Sequence, residues 1–252
     1  MNKLMLAAAA AFALFTTAAD AQAVRIATEG AYAPWNFVDD SGNPAGYEID
    51  LGTELCQRAA LECTFQLNEW DSIIPNLIAG NYDAIMAGMS VTDERKQTID
   101  FSDTYFPPDP SYYVVRTGTA LDFDALSGVS IGVQGGTIQA DYAHDTFGAT
   151  NTVKAYTTAD QALADLNAGN LDVILSDGAY VTDVVAGSSG ALEQVGPEVL
   201  LGDGMGIGLR KADDELEGKF NAAIEAMKAD GSLDALILKW FPDKTGPIFS
   251  TN

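Results

Sequence analysis

The sequence predicts an α/β protein of two similar lobes whose strand ends face each other, and three observations predict it. Short apolar runs, among them Val24 to Thr28, Asp83 to Ala87 and Ile131 to Val133, are too brief for helices and too apolar for loops, so they read as core strands. A local pattern recurs far along the chain: Leu77-Ile78-Ala79-Gly80-Asn81-Tyr82-Asp83-Ala84-Ile85 is matched by Leu166-Asn167-Ala168-Gly169-Asn170-Leu171-Asp172-Val173-Ile174, each a helix end, a glycine stop and a strand. Between the copies, Pro107-Pro108-Asp109-Pro110 stiffens the chain, which suits a crossover between lobes better than a core element.

Residues 1–23 carry Lys3, an apolar run from Leu4 to Phe15, and small residues at Ala21 and Ala23, the pattern of a secretory signal peptide cut after Ala23. This leader removes Lys3 and Asp20, one charge of each sign, so the exported chain keeps the formal net charge of −23. With 13 Lys and Arg against 36 Asp and Glu, clustered phosphate contacts are excluded and nucleic acid is not an expected partner. The acidity reads as a solvated surface that keeps an exported protein soluble and draws cations mildly toward it. About 230 residues then remain, enough for one large domain or two modest ones.

The first strand breaks into a turn that places Glu29, Tyr32 and Trp35 at its end, where an acid and flat rings can enclose a ligand or, for the rings, pack a core. Asn43-Pro44 and Gly46 mark a further turn, and Tyr47 to Ala60 has helical apolar spacing at Tyr47, Leu51, Leu55, Cys56 and Ala59. Cys56 and Cys63, the only two cysteines, read in an exported protein as a disulfide that clips this helix to the strand Cys63 to Leu67. A helix opening at Trp70 to Leu77 is expected to use Asp71 or Ser72 as its cap.

The strand Asp83 to Ala87 stops at Gly88 and delivers Ser90 and Arg95 to its end. Ligands of open α/β sheets sit just beyond the carboxyl ends of strands, so Gly88, Ser90 and Arg95 are candidates for one polar pocket. Arginine presents a planar fork of donors that matches a carboxylate; the rival reading is a surface pair with Asp93 or Glu94. Tyr112 to Val115 reads as a strand, and Ile131 to Val133 leads into Gln134-Gly135-Gly136-Thr137 and a helix from about Gln139 to Phe147, whose start attracts anions. A phosphate loop is excluded there because no Gly-Lys-Ser/Thr follows. Gly202 to Arg210 returns the chain to the first lobe, closed by helices over Glu215 to Lys228 and Leu233 to Trp240.

The segments VRIATEGAYAPW, GYEIDLGTELC with its partner Cys63, WDSIIPNLIAGNYDAIMAGMSVTDER, IGVQGGTIQ, LDVILSD and GIGLRKADDEL occur in that order. Together they resemble the periplasmic solute-binding proteins of polar amino-acid ABC transporters, the group of lysine/arginine/ornithine, histidine and arginine binding proteins, over nearly all of residues 24–245. The resemblance implies the type II periplasmic binding fold, two Rossmann-like lobes joined by a two-strand hinge, with lobe 1 at 24–110 and 203–252 and lobe 2 at 111–202. It implies a non-enzymatic, monomeric receptor in the periplasm that needs no cofactor or metal and hands an amino acid to a membrane ABC permease.

By the same resemblance, Arg95 holds the ligand α-carboxylate with Ser90 and the Thr137 helix start. Asp177 binds the α-ammonium with the Gly88 carbonyl and Ser90. Tyr32 and Trp70 are the aromatic walls, Glu29 faces a distal cationic group, and Gln139 lies nearby. Ala87 and Gly88 lack the hydroxyls that the lysine/arginine/ornithine type carries there, and Ile138 replaces a common threonine, which looks closer to arginine-binding and opine-binding members. Cationic amino acids, arginine first, are the expected ligands. The alternatives are an opine or another polar amino acid, an enzyme of the cyclohexadienyl dehydratase kind on the same scaffold, and the sensing module of a receptor kinase. The single histidine, His144, falls in a lobe-two helix away from the strand ends and argues against the enzyme, and the kinase module lacks its extra domains.

Overall fold

A computed structural model of the chain describes residues 22–249. Residues 1–21 of the expected signal peptide lie outside the described residues, whereas Gln22 and Ala23 already belong to the first strand, in register with Leu61 and Glu62. That strand, β1 (Gln22–Thr28), is followed by three short ones, β2 (Ala31–Tyr32), β3 (Asn36–Val38) and β4 (Pro44–Ala45), which pair antiparallel as a small separate sheet. The chain continues through α1 (Tyr47–Arg58), β5 (Leu61–Leu67), α2 (Trp70–Ile78), β6 (Ala84–Ile85) and β7 (Asp100–Phe101).

It then crosses into β8 (Ser111–Arg116), β9 (Ser130–Gln134), α3 (Ile138–Phe147), β10 (Thr152–Tyr156), α4 (Ala159–Ala168), β11 (Val173–Asp177), α5 (Gly178–Gly187) and β12 (Leu192–Val199). It returns through β13 (Gly208–Leu209) and ends with α6 (Asp214–Asp230) and α7 (Ser232–Trp240).

Two five-stranded mixed sheets result. The first has the order β5-β1-β6-β13-β7 and the second β10-β9-β11-β8-β12. In the first, β1 pairs parallel with β5 and β6; in the second, β9 pairs parallel with β10 and β11. The strand order reverses at β1 and at β9, so each sheet has a crevice beyond the carboxyl ends of its central strands, where α/β sheets take ligands.

The two crossovers run side by side. Phe106 and Met205 form an antiparallel bridge, with Met205 N–H donating to the Phe106 carbonyl at 3.0 Å and Tyr105 N–H to that of Met205 at 2.9 Å. These paired segments are the two-strand hinge, and they bring β13 back into the first sheet.

Each sheet is covered by helices over apolar cores. Trp35 is fully buried against Phe106 and Phe241 at 4.5 and 4.7 Å between ring centroids, so its role is packing. Cys56 and Cys63 form a disulfide that joins α1 to β5. Both glycine stops of the repeat lie in the left-handed region, Gly80 at φ 77° and Gly169 at φ 82°, a conformation that side-chain-bearing residues rarely adopt.

Two local expectations are corrected. Helix α2 begins at Trp70 after Glu69 and has no side-chain cap; the Ser72 hydroxyl instead donates to the Glu69 carbonyl at 3.2 Å. The apolar run at 83–87 yields only Ala84–Ile85 as ladder, because the antiparallel neighbour β13 is itself two residues long and meets β6 at the single pair Gly208 and Ile85.

Candidate ligand-binding cleft

Five chain segments converge where the crevices of the two sheets face each other. From the first lobe come the turn after β1, carrying Glu29 and Tyr32, and the segment after β6, carrying Ala87, Gly88, Ser90 and Arg95. The second lobe contributes the turn between β9 and α3, carrying Thr137 and Gln139, and the end of β11 at Asp177. Trp70 enters from the start of α2. Together these ten sequence-derived residues line one narrow cleft, joined by Gln134, Ile138, Leu175 and Ser176.

The lobes meet across this cleft. The Tyr32 hydroxyl donates to Asp177 Oδ2 at 2.6 Å, the Trp70 indole N–H to the Gly136 carbonyl at 3.1 Å, and Gln134 Nε2 to Glu29 Oε1 at 2.6 Å. Behind it, the Tyr32 ring stacks on Tyr180 at 5.2 Å between centroids. At φ 65°, Gly136 keeps the second-lobe turn close to Trp70; a Cβ there would come within 3.4 Å of the indole nitrogen.

Arg95 opens a single 3-10 turn that ends at Gln97. Its Nη1 donates to the Ser90 carbonyl at 2.8 Å, its Nη2 to the Gly136 carbonyl at 3.3 Å, and the guanidinium carbon lies 5.2 Å from the Trp70 ring centroid. Among the described residues Arg95 makes no salt bridge, while Asp93 pairs with Lys96. The surface-pair reading of Arg95 therefore gives way to a guanidinium held at the cleft by backbone carbonyls and an aromatic face. Burial lowers its pKa, against the attraction of Asp177, Asp141 and Glu94, yet an arginine keeps its charge at working pH.

Asp177 is buried, and its two oxygens accept from Tyr32 and, at 2.7 Å, from Gln139 Nε2. Burial pushes its pKa up to about 6, opposed by the Tyr32 bond, while Asp109 adds to the rise and Gln139 and Arg95 offset it. Glu29 is pushed up to about 7, again chiefly by burial, with Asp160, Asp71 and Glu48 adding to the rise and the Gln134 bond opposing it. Both carboxylates are thus poised to gain from a positive charge placed beside them. Thr137 caps α3, its hydroxyl accepting from Ala140 N–H at 3.1 Å and donating to the Gln134 carbonyl at 2.8 Å, and so presents the helix start to the cleft.

Sequence reasoning missed Gln134, Ser176, Asp71 and Asp160. Gln134 closes an apolar strand and Ser176 immediately precedes a singled-out acid, so both carried a positional signal at a strand end. Asp160 reaches the site through the Tyr180 hydroxyl, which donates to it at 2.9 Å, and no pattern in the sequence joins those two residues to Tyr32. His144 is exposed on α3.

Two α/β lobes, a paired double crossover and a cleft lined from both sides define a two-lobed solute-binding protein. The chain matches the family described as bacterial extracellular solute-binding proteins, family 3, over residues 24–243, and it belongs to that family. It is 36% identical over 260 residues to the lysine/arginine/ornithine-binding periplasmic protein of Escherichia coli, covering 96% of this chain and 97% of that one. It is also 36% identical to the L-arginine-binding protein of Pseudomonas aeruginosa, with the same coverage. Among solved structures, a periplasmic His/Glu/Gln/Arg/opine family-binding protein from Silicibacter pomeroyi in complex with lysine aligns with a TM-score of 0.83 at 47% identity, over 88% of this chain and 99% of that one. These relatives are binding proteins, and the chain is a receptor of that kind rather than an enzyme.

Proposed function

We propose that the protein is a periplasmic receptor that captures a cationic amino acid, arginine first and then lysine, ornithine or histidine, by closure of its lobes, and delivers it as a monomer to an ABC permease. The observation that carries this reading is the charge arrangement of the cleft. One guanidinium, Arg95, comes from the first lobe, and one buried carboxylate, Asp177, from the second. A zwitterion gripped at both ends needs this pair, because an ion taken out of water must meet its counter-charge.

The second acid sets the side chain. Glu29 stands with Asp71 and Asp160 close enough to raise its pKa, so this end of the cleft favours positive charge. Trp70 and Tyr32 supply flat faces suited to an alkyl stem or a guanidinium. A ligand that touches both lobes favours the closed state over the open one, which is the shape offered to the permease. Calorimetry with a panel of L-amino acids tests the proposal. Tight binding of arginine, weaker binding of lysine, ornithine and histidine, and none of glutamate is expected; tight glutamate binding with no cationic ligand overturns it.

A further inference from the structure

Glu48 lies outside the cleft, yet it is fully buried and takes three donors. Gly88 N–H donates to its Oε1 at 2.7 Å, the Tyr105 hydroxyl to the same oxygen, and Asn36 Nδ2 to its Oε2 at 2.7 Å. The Asn36 side chain in turn accepts from Gly30 N–H at 2.7 Å through Oδ1. The backbone N–H groups of Gly30 and Gly88 can only donate, which fixes the sense of the chain. Oδ1 of Asn36 must face Gly30, its amide group must face Glu48, and Glu48 must accept.

We propose that Glu48, with Asn36 as its relay, is the positioning residue that fixes both ligand loops of the first lobe and thereby sets the affinity of the cleft. One branch holds the Glu29–Gly30 turn and the other holds Gly88, whose loop leads to Ser90 and Arg95. A third contact, through Tyr105, reaches the hinge, because Tyr105 N–H donates to the Met205 carbonyl in the paired crossovers. The two loops and a hinge strand therefore share a single buried carboxylate. Among the described residues no cation pairs with Glu48; burial raises its pKa, and the donors Tyr105, Gly88 and Asn36, with the positive end of the α1 dipole at this first turn, oppose the rise.

This inference rests on the amino-acid cleft proposed above, so its test has an arm that needs no ligand. In Glu48→Gln the new amide faces the Asn36 amide, donor against donor, and turning Asn36 over only moves the conflict to Gly30 N–H. Combining Glu48→Gln with Asn36→Asp restores every donor to an acceptor and keeps the charge. In the ligand-free protein, amide hydrogen exchange at Gly30 and Gly88 followed by NMR should quicken by about tenfold or more in the single variant and return in the double variant.

L-Arginine affinity by calorimetry should fall about 10- to 100-fold in Glu48→Gln and recover to within about threefold in the double variant. A single variant whose affinity stays within about threefold of the parent overturns the proposal, as does a double variant that regains the melting temperature without the affinity. Should the single variant not fold, the double variant decides: parental affinity supports the relay, and a folded but weak binder overturns it. Were the parent protein to bind no cationic amino acid, the ligand reading would fall. The exchange arm would still decide the relay, with unchanged Gly30 and Gly88 rates in Glu48→Gln counting against it.

Discussion

The two lobes are wired alike up to the strand end and differ in the charge placed there. In the first, Asp83 N–H donates to the Arg25 carbonyl at 2.8 Å while Asp83 Oδ2 accepts from Arg25 N–H at 2.9 Å. In the second, Asp172 N–H donates to the Ser130 carbonyl at 3.0 Å and Asp172 Oδ2 accepts from Ser130 N–H at 2.8 Å. Arg210 Nη1 donates to the carbonyls of Leu77 and Tyr82; Arg116 Nη1 donates to those of Leu166 and Leu171, the matching positions of the repeat. Beyond this shared frame, β6 leads to Gly88, Ser90 and Arg95, whereas β11 ends in Asp177. The repeat therefore builds two equivalent platforms, and the few residues beyond them carry the opposite charges proposed to grip the two ends of the ligand.

The largest effects should come from those residues. Arg95→Ala and Asp177→Asn each leave an opposite charge of the guest unpaired in a dehydrated cleft, a loss of about 2–5 kcal/mol in arginine binding by calorimetry. The ligand-free melting temperature should stay close to the parent in Arg95→Ala, since the platforms are untouched, and should rise modestly at pH 8 in Asp177→Asn, which removes a carboxylate whose pKa burial raises to about 6. A large fall in stability with little change in affinity would place these side chains in the frame instead.

Protonation offers a graded version of the same experiment. Asp177 near 6 and Glu29 near 7 both sit above the usual carboxylate range. A cationic guest requires them ionised, so binding releases protons, and arginine affinity should fall as the pH drops through about 7 and then about 6, by up to about tenfold per unit for each group protonated. Stability of the empty protein runs the other way. A carboxylate whose folded pKa is raised weakens the fold above that pKa, and the penalty is relieved as the pH falls through it. Glu29→Gln should accordingly raise the ligand-free melting temperature at pH 8 while weakening arginine, which thermal scans with and without ligand would read.

The disulfide marks an asymmetry of stability rather than chemistry. Cys56 and Cys63 close a short loop in the first lobe, and the second lobe has no cysteine. For a loop of that length the chain-entropy model gives about 2–3 kcal/mol. The paired Cys56→Ser and Cys63→Ser variant should lose that much in urea unfolding and keep its arginine affinity.

Much of the frame was legible because local chemistry writes it. Glycine stops, apolar runs and a proline-stiffened crossover fix elements through short-range rules, and their repetition announces a second platform. Six of the ten cleft residues, Glu29, Tyr32, Gly88, Ser90, Arg95 and Thr137, were legible because they stand at a strand end or a helix start, whereas Trp70, Ala87, Gln139 and Asp177 were reached through the family resemblance. Glu48 was not, although a signal existed: it precedes Leu51 by three and Leu55 by seven, so it shares the buried face of α1, where an unpaired acid is anomalous. Asp160 left no such trace, because its route to the cleft runs through two rings, Tyr180 and Tyr32, that come from different lobes and lie far apart in sequence.

The smallest effects belong to the arginines behind the platforms, and their inequality tests how far the equivalence extends. Arg116→Met leaves the Leu166 and Leu171 carbonyls without their guanidinium donor, a loss of about 1–3 kcal/mol in urea unfolding. Arg210→Met does the same to Leu77 and Tyr82 and also removes ion pairs with Asp83 at 3.3 Å and Asp213 at 2.8 Å. Asp83 keeps Arg25, whose Nη2 lies 2.9 Å from its Oδ1, so it is not stranded. The first-lobe variant should therefore be the less stable of the two, but by only about 1 kcal/mol, since partly exposed ion pairs add little. The two arginines share no partner, so the double variant should show the sum of the single losses. A clear shortfall would mean that the second platform leans on the first, and that the lobes are coupled through the hinge even without a guest between them.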